Sequence, residues 1–168
     1  MRTDPLTGRL TARPAGRAAL LGLLCALAVA LSALEALLPA LPFPGARVGF
    51  ANLATMYALS ALSLPAALCV TAVRAAFALL RGATACLMSA AGGLLSTLVM
   101  AAALRWGRHL SFIGVGILGA VAHNVAQWLL ALLLMNTVLT WYLPFLLISA
   151  LIAGAFTGLT VNLLRRYF

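Results

Sequence analysis

The polar side chains inside the apolar stretches of this 168-residue chain are the ones that could bind a ligand. His123, Asn124 and Gln127 fall within five residues of one apolar run, and their i, i+3 and i, i+4 spacings let all three line one wall of a helix. Arg74 interrupts another apolar run, and Arg81 follows it by one apolar heptad on the same face. Because polar and ionisable groups are costly in hydrocarbon unless they face a cavity or a partner, these residues predict a pocket or a helix contact.

Three more polar residues fall toward the same side of the predicted membrane. Glu35 lies near the end of the first apolar run, Arg47 follows a Pro-Gly turn, and Asn52 comes five residues later. Arginine exceeds acid on this side, which favours a positively charged pocket that selects an anion. Two alternatives remain open: Glu35 pairs with Arg74 or Arg47, or the polar residues of the His123 segment only join helices. The predicted ligand site comprises Glu35, Arg47, Asn52, Arg74, Arg81, His123, Asn124 and Gln127.

The composition requires a membrane environment for the helices that would carry this site. Hydrophobic residues make up 65% of the chain and charged residues 8%, whereas a soluble domain carries about a quarter charged residues. A membrane-spanning helix takes roughly 20 residues, so the length allows six spans with short loops. The sequence predicts an all-α, polytopic membrane protein with a basic tail over residues 1–17 and a single six-helix domain over 18–168. Proline, glycine and arginine punctuation places the helices at 18–38, 48–62, 65–80, 83–104, 113–135 and 144–164.

The arginines orient this predicted bundle. The chain has eleven arginines and no lysine against two acids, a formal charge of +9. The arginines are scattered among apolar runs, which argues against nucleic-acid binding and for the positive-inside rule. With a cytoplasmic N-terminus, only Arg47 and Arg81 fall on the outer side, so both termini are predicted to be cytoplasmic in a bacterial plasma membrane. The inner arginines would be Arg2, Arg9, Arg13, Arg17, Arg105, Arg108, Arg165 and Arg166.

Two features could redirect this interpretation. The basic start followed by an apolar run resembles a signal peptide, but the run of about 21 residues exceeds the usual 7–15-residue core of such peptides.

The second alternative is an enzyme, whose chemistry would need ligands that the sequence does not supply. Asp4 and Glu35 have no acidic neighbour within a helical turn, so no clustered carboxylates can hold Mg²⁺ and a diphosphate. The chain also lacks a G-x-x-x-x-G-K-[ST] loop and any C-x-x-C pair. We expect a protein that is not an enzyme, with no cofactor and no metal.

Small residues recur at every fourth position of the first predicted helix, at Ala18, Gly22, Ala26 and Ala30. Such a stripe lets another helix approach closely. The stripe predicts either packing inside the bundle or contact with a partner subunit. Two other groups are expected to serve internal packing: Gly114, Gly116 and Gly119 in the fifth helix, and Ala150, Gly154 and Gly158 in the sixth.

Five segments occur in the order typical of one family: LEALLPALPFPGARVGFANL, VRAAFALLRG, MSAAGGLLSTLVM, GVGILGAVAHNVAQ and WYLPFLL. They resemble the Gx transporter family, small membrane proteins also described as heptaprenyl diphosphate synthase component I-like. The resemblance covers about residues 20–160, and PGARVGFAN and GAVAHNVAQ are its most specific parts. The family usually has Lys where this chain has Arg47, so the charge is kept while the geometry of the group changes.

That family is similar in size and topology to the S-components of energy-coupling-factor transporters. The resemblance implies a six-helix subunit that captures a small solute from outside and uses the Ala18–Gly22–Ala26–Ala30 stripe to dock on a transmembrane coupling subunit with two ATPases. An alternative is an accessory membrane subunit of an isoprenoid, quinone or extracellular electron-transfer system. A membrane prenyltransferase is the least favoured interpretation because the chain lacks a metal–diphosphate ligand set.

Overall fold

A computed structural model describes residues 13–37, 51–107, 110–135 and 143–167. These residues form six α-helices, and the described part of the chain contains no strand. A 3₁₀ segment, Leu79–Arg81, extends the third helix. Five of the six helices, counting the third with its extension, are long and apolar enough to cross a membrane, which confirms the predicted all-helical membrane protein. The helices are α1 Pro14–Leu37, α2 Ala51–Ala61, α3 Leu64–Ala78, α4 Ala83–Trp106, α5 Phe112–Met135 and α6 Leu143–Tyr167.

Local sequence signals account for the helix ends. Helix α1 begins at Pro14, four residues before the predicted start, because proline is well suited to a first helical turn, where its missing N–H costs no hydrogen bond. Ser63 caps α3, and its hydroxyl oxygen accepts the Ala66 N–H at 3.4 Å. Gly82 has a φ of 119°, a conformation that side chains disfavour, and it lets the chain reverse directly from the 3₁₀ segment into α4.

Helix α2 lies at the centre of the bundle and contacts all five other helices. Its eleven residues rise about 16 Å, roughly half the thickness of a bilayer's hydrocarbon core. None of its described side chains is exposed, and Asn52, Thr55 and Met56 are buried. The second predicted helix is therefore present, but the described α2 is too short to span a membrane by itself.

One end of the bundle collects the arginines, and we call it the basic end. The Arg165 guanidinium donates to the Ser60 carbonyl at 3.3 Å and lies 5.4 Å from the centre of the Phe112 ring. Arg17 lines a cleft with Ser63. These contacts bring together the start of α1, the α2–α3 turn, the start of α5 and the end of α6. Arg81 lies at the other end, which we call the opposite end.

Glycines join α5 to α6. A Cβ atom added to Gly116, Gly154 or Gly158 would collide with the backbone of the facing helix. The three glycines therefore let the two backbones approach closely, which confirms the predicted role of these residues in internal packing.

Candidate ligand site

A layer of polar residues crosses the middle of the bundle, and we call it the polar layer: Asn52, Arg74, His123 and Gln127, with Gly92 and Gly93 behind them. All four polar side chains are buried. Arg74 is only 5% exposed, and its Nη1 donates to Asn52 Oδ1 at 2.9 Å. This bond ties the first turn of α2 to α3. The amide oxygen satisfies one guanidinium N–H without cancelling the positive charge.

Gly92 and Gly93 of α4 leave space for the side chains of His123 and Arg74, respectively. A Cβ on Gly92 would lie between 2.7 and 3.0 Å from three atoms of the His123 ring. A Cβ on Gly93 would lie 2.6 Å from Arg74 Nη2 and 2.6 Å from Thr71 Cγ2. The two adjacent glycines therefore let the imidazole and the guanidinium each pack against the α4 backbone. Sequence reasoning did not assign this role, although a Gly-Gly pair in the middle of an apolar span was an available signal.

Buried hydroxyl groups occur on the same helices as the polar layer, and the sequence prediction omitted them. Thr97 donates to the Gly93 carbonyl at 2.7 Å, and its Oγ1 lies 2.9 Å from Thr71 Oγ1. Two further hydroxyls, Thr55 Oγ1 and Ser96 Oγ, have no hydrogen-bond partner within the described residues. Both belong to residues only 1% exposed. Two buried hydroxyl groups, one helical turn from Asn52 and from Gly93, thus lack a hydrogen-bond partner among the described residues.

The three polar residues of α5 have different surroundings. His123 packs on Gly92, and Gln127 lies one turn further along the same face. The Oε1 atom of Gln127 has no hydrogen-bond partner in the part of the chain that the structure describes. Asn124 uses its amide nitrogen to donate to the Leu146 carbonyl of α6 at 2.8 Å. Asn124 therefore joins two helices, as the structural alternative predicted for residues of this segment.

An apolar layer closes the polar layer toward the basic end. It consists of one residue from each of four helices, and all four are fully buried: Met56, Met100, Val115 and Val161. On α2, α4 and α5, this residue lies nearer the basic end than the polar residue or glycine of the same helix. On α6, Val161 lies nearer the basic end than Leu146, whose carbonyl contacts Asn124. Approach to the polar layer is therefore blocked from the basic end by close-packed side chains.

The remaining predicted site residues lie elsewhere. Arg81 is exposed at the opposite end, in the 3₁₀ segment, and is not brought into the polar layer. Glu35 is half-buried two residues before the end of α1. Helical rise counted from the cleft that Arg17 and Ser63 line places Glu35 about 12 Å further toward the opposite end than Arg74. Arg47 falls outside the described residues.

The small-residue stripe of α1 faces away from the bundle. Ala18, Gly22, Ala26 and Ala30 are all exposed, and a Cβ on Gly22 would meet no atom within 4 Å. Helix α1 buries Leu24, Ala28 and Ser32 instead. Packing against the other described helices therefore does not account for the stripe, and its contact with a partner subunit stays a prediction.

A cleft of about 300 Å³ opens at the basic end between α1 and the α2–α3 turn, away from the polar layer. Besides Arg17 and Ser63 its lining is mostly apolar. Because the cleft holds none of the predicted ligand-site residues, the polar layer remains the better candidate for a specific site.

The polar layer has the chemistry of an anion site. It combines a buried guanidinium with buried amide groups. Among the described residues, Glu35 is the one acidic side chain, and it lies near the end of α1. A carboxylate or phosphate could therefore be held beside Arg74 by charge-assisted hydrogen bonds.

Fold and site together define a polytopic membrane protein with a polar layer buried between its helices. The chain belongs to the family described as heptaprenyl diphosphate synthase component I, whose model matches residues 24–164. This match confirms the family suggested by the sequence resemblance. Comparison with curated proteins and comparison with solved structures each gave no match.

Proposed function

We propose that this chain is the substrate-binding membrane subunit of a transporter and captures a small anionic solute from the outer side of a bacterial plasma membrane. The observation that carries the proposal is the buried Arg74, seated on Gly93 and bonded to Asn52 in the first turn of a half-length central helix. Broken or shortened helices whose N-terminal ends meet near the membrane midplane are a recurring way for transporters to bind anionic groups.

The charge distribution supports an outward-facing site. Arg13, Arg17, Arg105, Arg165 and Arg166 belong to helix ends at the basic end, against Arg81 at the opposite end of the described chain. By the positive-inside rule the basic end is cytoplasmic, which gives cytoplasmic termini and an even number of crossings, six as the sequence predicts. The apolar layer then separates the polar layer from the cytoplasm, and solute enters from outside.

The exposed stripe on α1 supports docking to a transmembrane coupling subunit. Small residues allow close helix contact, and these four lie on a lipid-facing surface that the bundle leaves uncovered. The chain has no phosphate-binding loop of its own, so partner ATPases would supply the hydrolysis that drives transport.

The family description favours a second candidate function. A component of a heptaprenyl diphosphate synthase would be an accessory membrane subunit of an isoprenoid or quinone system, without catalysis of its own. This candidate predicts co-purification with a soluble enzyme and no small molecule in the polar layer. An accessory subunit of an extracellular electron-transfer system would instead co-purify with a flavoprotein.

Native mass spectrometry of the detergent-purified chain tests the binding proposal. We expect a retained small anion on the wild-type chain and its loss from Arg74→Ala, with folding checked by circular dichroism. Retention by Arg74→Ala would place the binding site elsewhere. For the transport step, vesicles that contain only this chain should not accumulate the identified solute, and ATP-independent accumulation would contradict the coupled mechanism.

A further inference from the structure

Gln127 has a buried acceptor that the described protein does not use. The residue is 7% exposed, and its Oε1 has no hydrogen-bond partner among the described residues. It lies one turn beyond His123 on α5, about 6 Å further from the apolar layer. The polar layer therefore ends toward the opposite end of the bundle in an amide oxygen, which can only accept a hydrogen bond.

The other unsatisfied oxygens lie toward the basic end of the layer. Thr55 is three residues past Asn52 toward the basic end of α2, and Ser96 is three residues past Gly93 toward the basic end of α4. Their hydroxyls can donate to an anion, as the Arg74 guanidinium can. Donor groups and positive charge thus occur deep in the bundle, and an acceptor occurs one helical turn nearer its opposite end.

We propose, resting on the function proposed above, that the solute has two ends: an anionic group held at Arg74 and an N–H or O–H group that donates to Gln127 Oε1. This arrangement selects hydroxy-, amino- or amide-bearing carboxylates or phosphates about one helical turn long, over simple inorganic anions. The solute enters with its anionic end first, and the donor end remains toward the outer side.

Three aromatic carboxylates of similar size test this polarity by calorimetric titration of the purified chain. Benzoate supplies the anion alone, 4-hydroxybenzoate adds a donor at the far end of the ring, and 4-methoxybenzoate adds an oxygen without a donor. We expect 4-hydroxybenzoate to bind about two- to tenfold more tightly than the other two, the range that one net hydrogen bond gives.

The variants separate this inference from the function on which it rests. Gln127→Met should remove the advantage of the hydroxyl, so that 4-hydroxybenzoate binds no more tightly than benzoate does. Leu129→Ala, at a half-exposed position of the same helix, should keep the advantage. Arg74→Gln should weaken all three probes at least tenfold, because the charge is lost.

Each result decides one of the two claims. If the advantage persists in Gln127→Met, or if 4-methoxybenzoate shares it in the wild-type chain, the donor end does not contact Gln127 and the inference is wrong while the anion site stands. If the wild-type chain binds none of the probes, or if Arg74→Gln binds all three as wild type does, the anion site itself is wrong. The wild-type comparison of the hydroxyl and methoxy probes needs no variant, so it holds even if Gln127→Met misfolds.

Discussion

At the scale of single residues, Arg74 is the feature that requires an explanation. A charged group inside the hydrocarbon region costs several kcal/mol in the absence of a cavity or partner. The structure gives it a neutral partner in Asn52 and a seat on Gly93. Both arrangements hold the guanidinium in place within the polar layer. A residue needed only for packing would be replaced at lower cost by methionine or leucine.

The two amides of α5 provide a matched stability test. Gln127→Met removes a buried acceptor without a partner among the described residues, so the ligand-free chain should become about 0.5–2 kcal/mol more stable. Asn124→Leu removes the bond to the Leu146 carbonyl and should destabilise the chain by about 0.6–2 kcal/mol. Thermal unfolding in detergent measures both. Destabilisation by Gln127→Met as large as that by Asn124→Leu would mean that the glutamine is a structural contact.

The sequence predicted the charged, imidazole and amide residues of this candidate site but not its hydroxyl residues. Arg74, His123 and Gln127 stood out because polar side chains are rare in apolar runs, and the structure buries all three. The hydroxyl residues did not stand out, because Ser and Thr within a helix commonly bond their own backbone, as Thr71 does to the Ala67 carbonyl. Which hydroxyl lacks a partner depends on the facing helices, and the sequence does not specify that.

At the scale of elements, α4 supports the site, because side chains of the polar layer pack against its backbone at Gly92 and Gly93. Gly→Ala within a helix normally stabilises by about 1 kcal/mol. Here the added methyl group would collide with His123 or with Arg74 and Thr71, so Gly92→Ala and Gly93→Ala should each destabilise by about 1–3 kcal/mol. Both should also weaken anion binding, because each displaces a side chain of the polar layer.

Gly22→Ala is the control for this pair, because its new methyl group would meet nothing within 4 Å. It should leave anion binding unchanged and raise the melting temperature of the isolated chain. Thermal unfolding together with titration of benzoate separates the three variants. Equal behaviour of Gly93→Ala and Gly22→Ala would show that α4 does not position Arg74.

The α1 stripe gives a prediction about partners. Gly22→Leu should reduce co-purification of a transmembrane coupling subunit from native membranes at least tenfold, because leucine prevents close helix approach. Ligand retention by the isolated chain should not change. Ala76→Leu, which places a leucine at an exposed position of α3, is the control. If both variants keep the partner equally well, the stripe is a lipid-facing surface.

At the scale of the whole molecule, the fold is mostly explained by the apolar composition and by the residues that begin and end helices. The predicted helices at 65–80 and 113–135 agree within two residues with α3 and α5. Ser63, Pro65 and Gly82 mark the ends of α3, and Ser111 marks the start of α5. The central position of α2 could not be predicted from the sequence. Ser63 and Pro65 mark the C-terminal end of α2 in the sequence. Its burial, however, depends on how five other helices surround it.

The topology gives a prediction for reporter fusions. Green fluorescent protein fused after Phe168 should fluoresce, and alkaline phosphatase fused there should be inactive, because the arginine-rich basic end is cytoplasmic. Truncation after residue 140 should reverse both signals, since that point lies between α5 and α6. The same sidedness from the two fusion sites would contradict the proposed orientation.

The central claim is that anion binding depends on the place of Arg74 and not on the net charge of +9. Native mass spectrometry of Arg74→Gln and Arg166→Gln tests it directly, because each variant loses one positive charge, the first from the polar layer and the second from an exposed position at the basic end. We predict that Arg166→Gln keeps the bound anion as wild type does and that Arg74→Gln loses it while remaining folded. Equal retention, or equal loss, in the two variants would contradict the account.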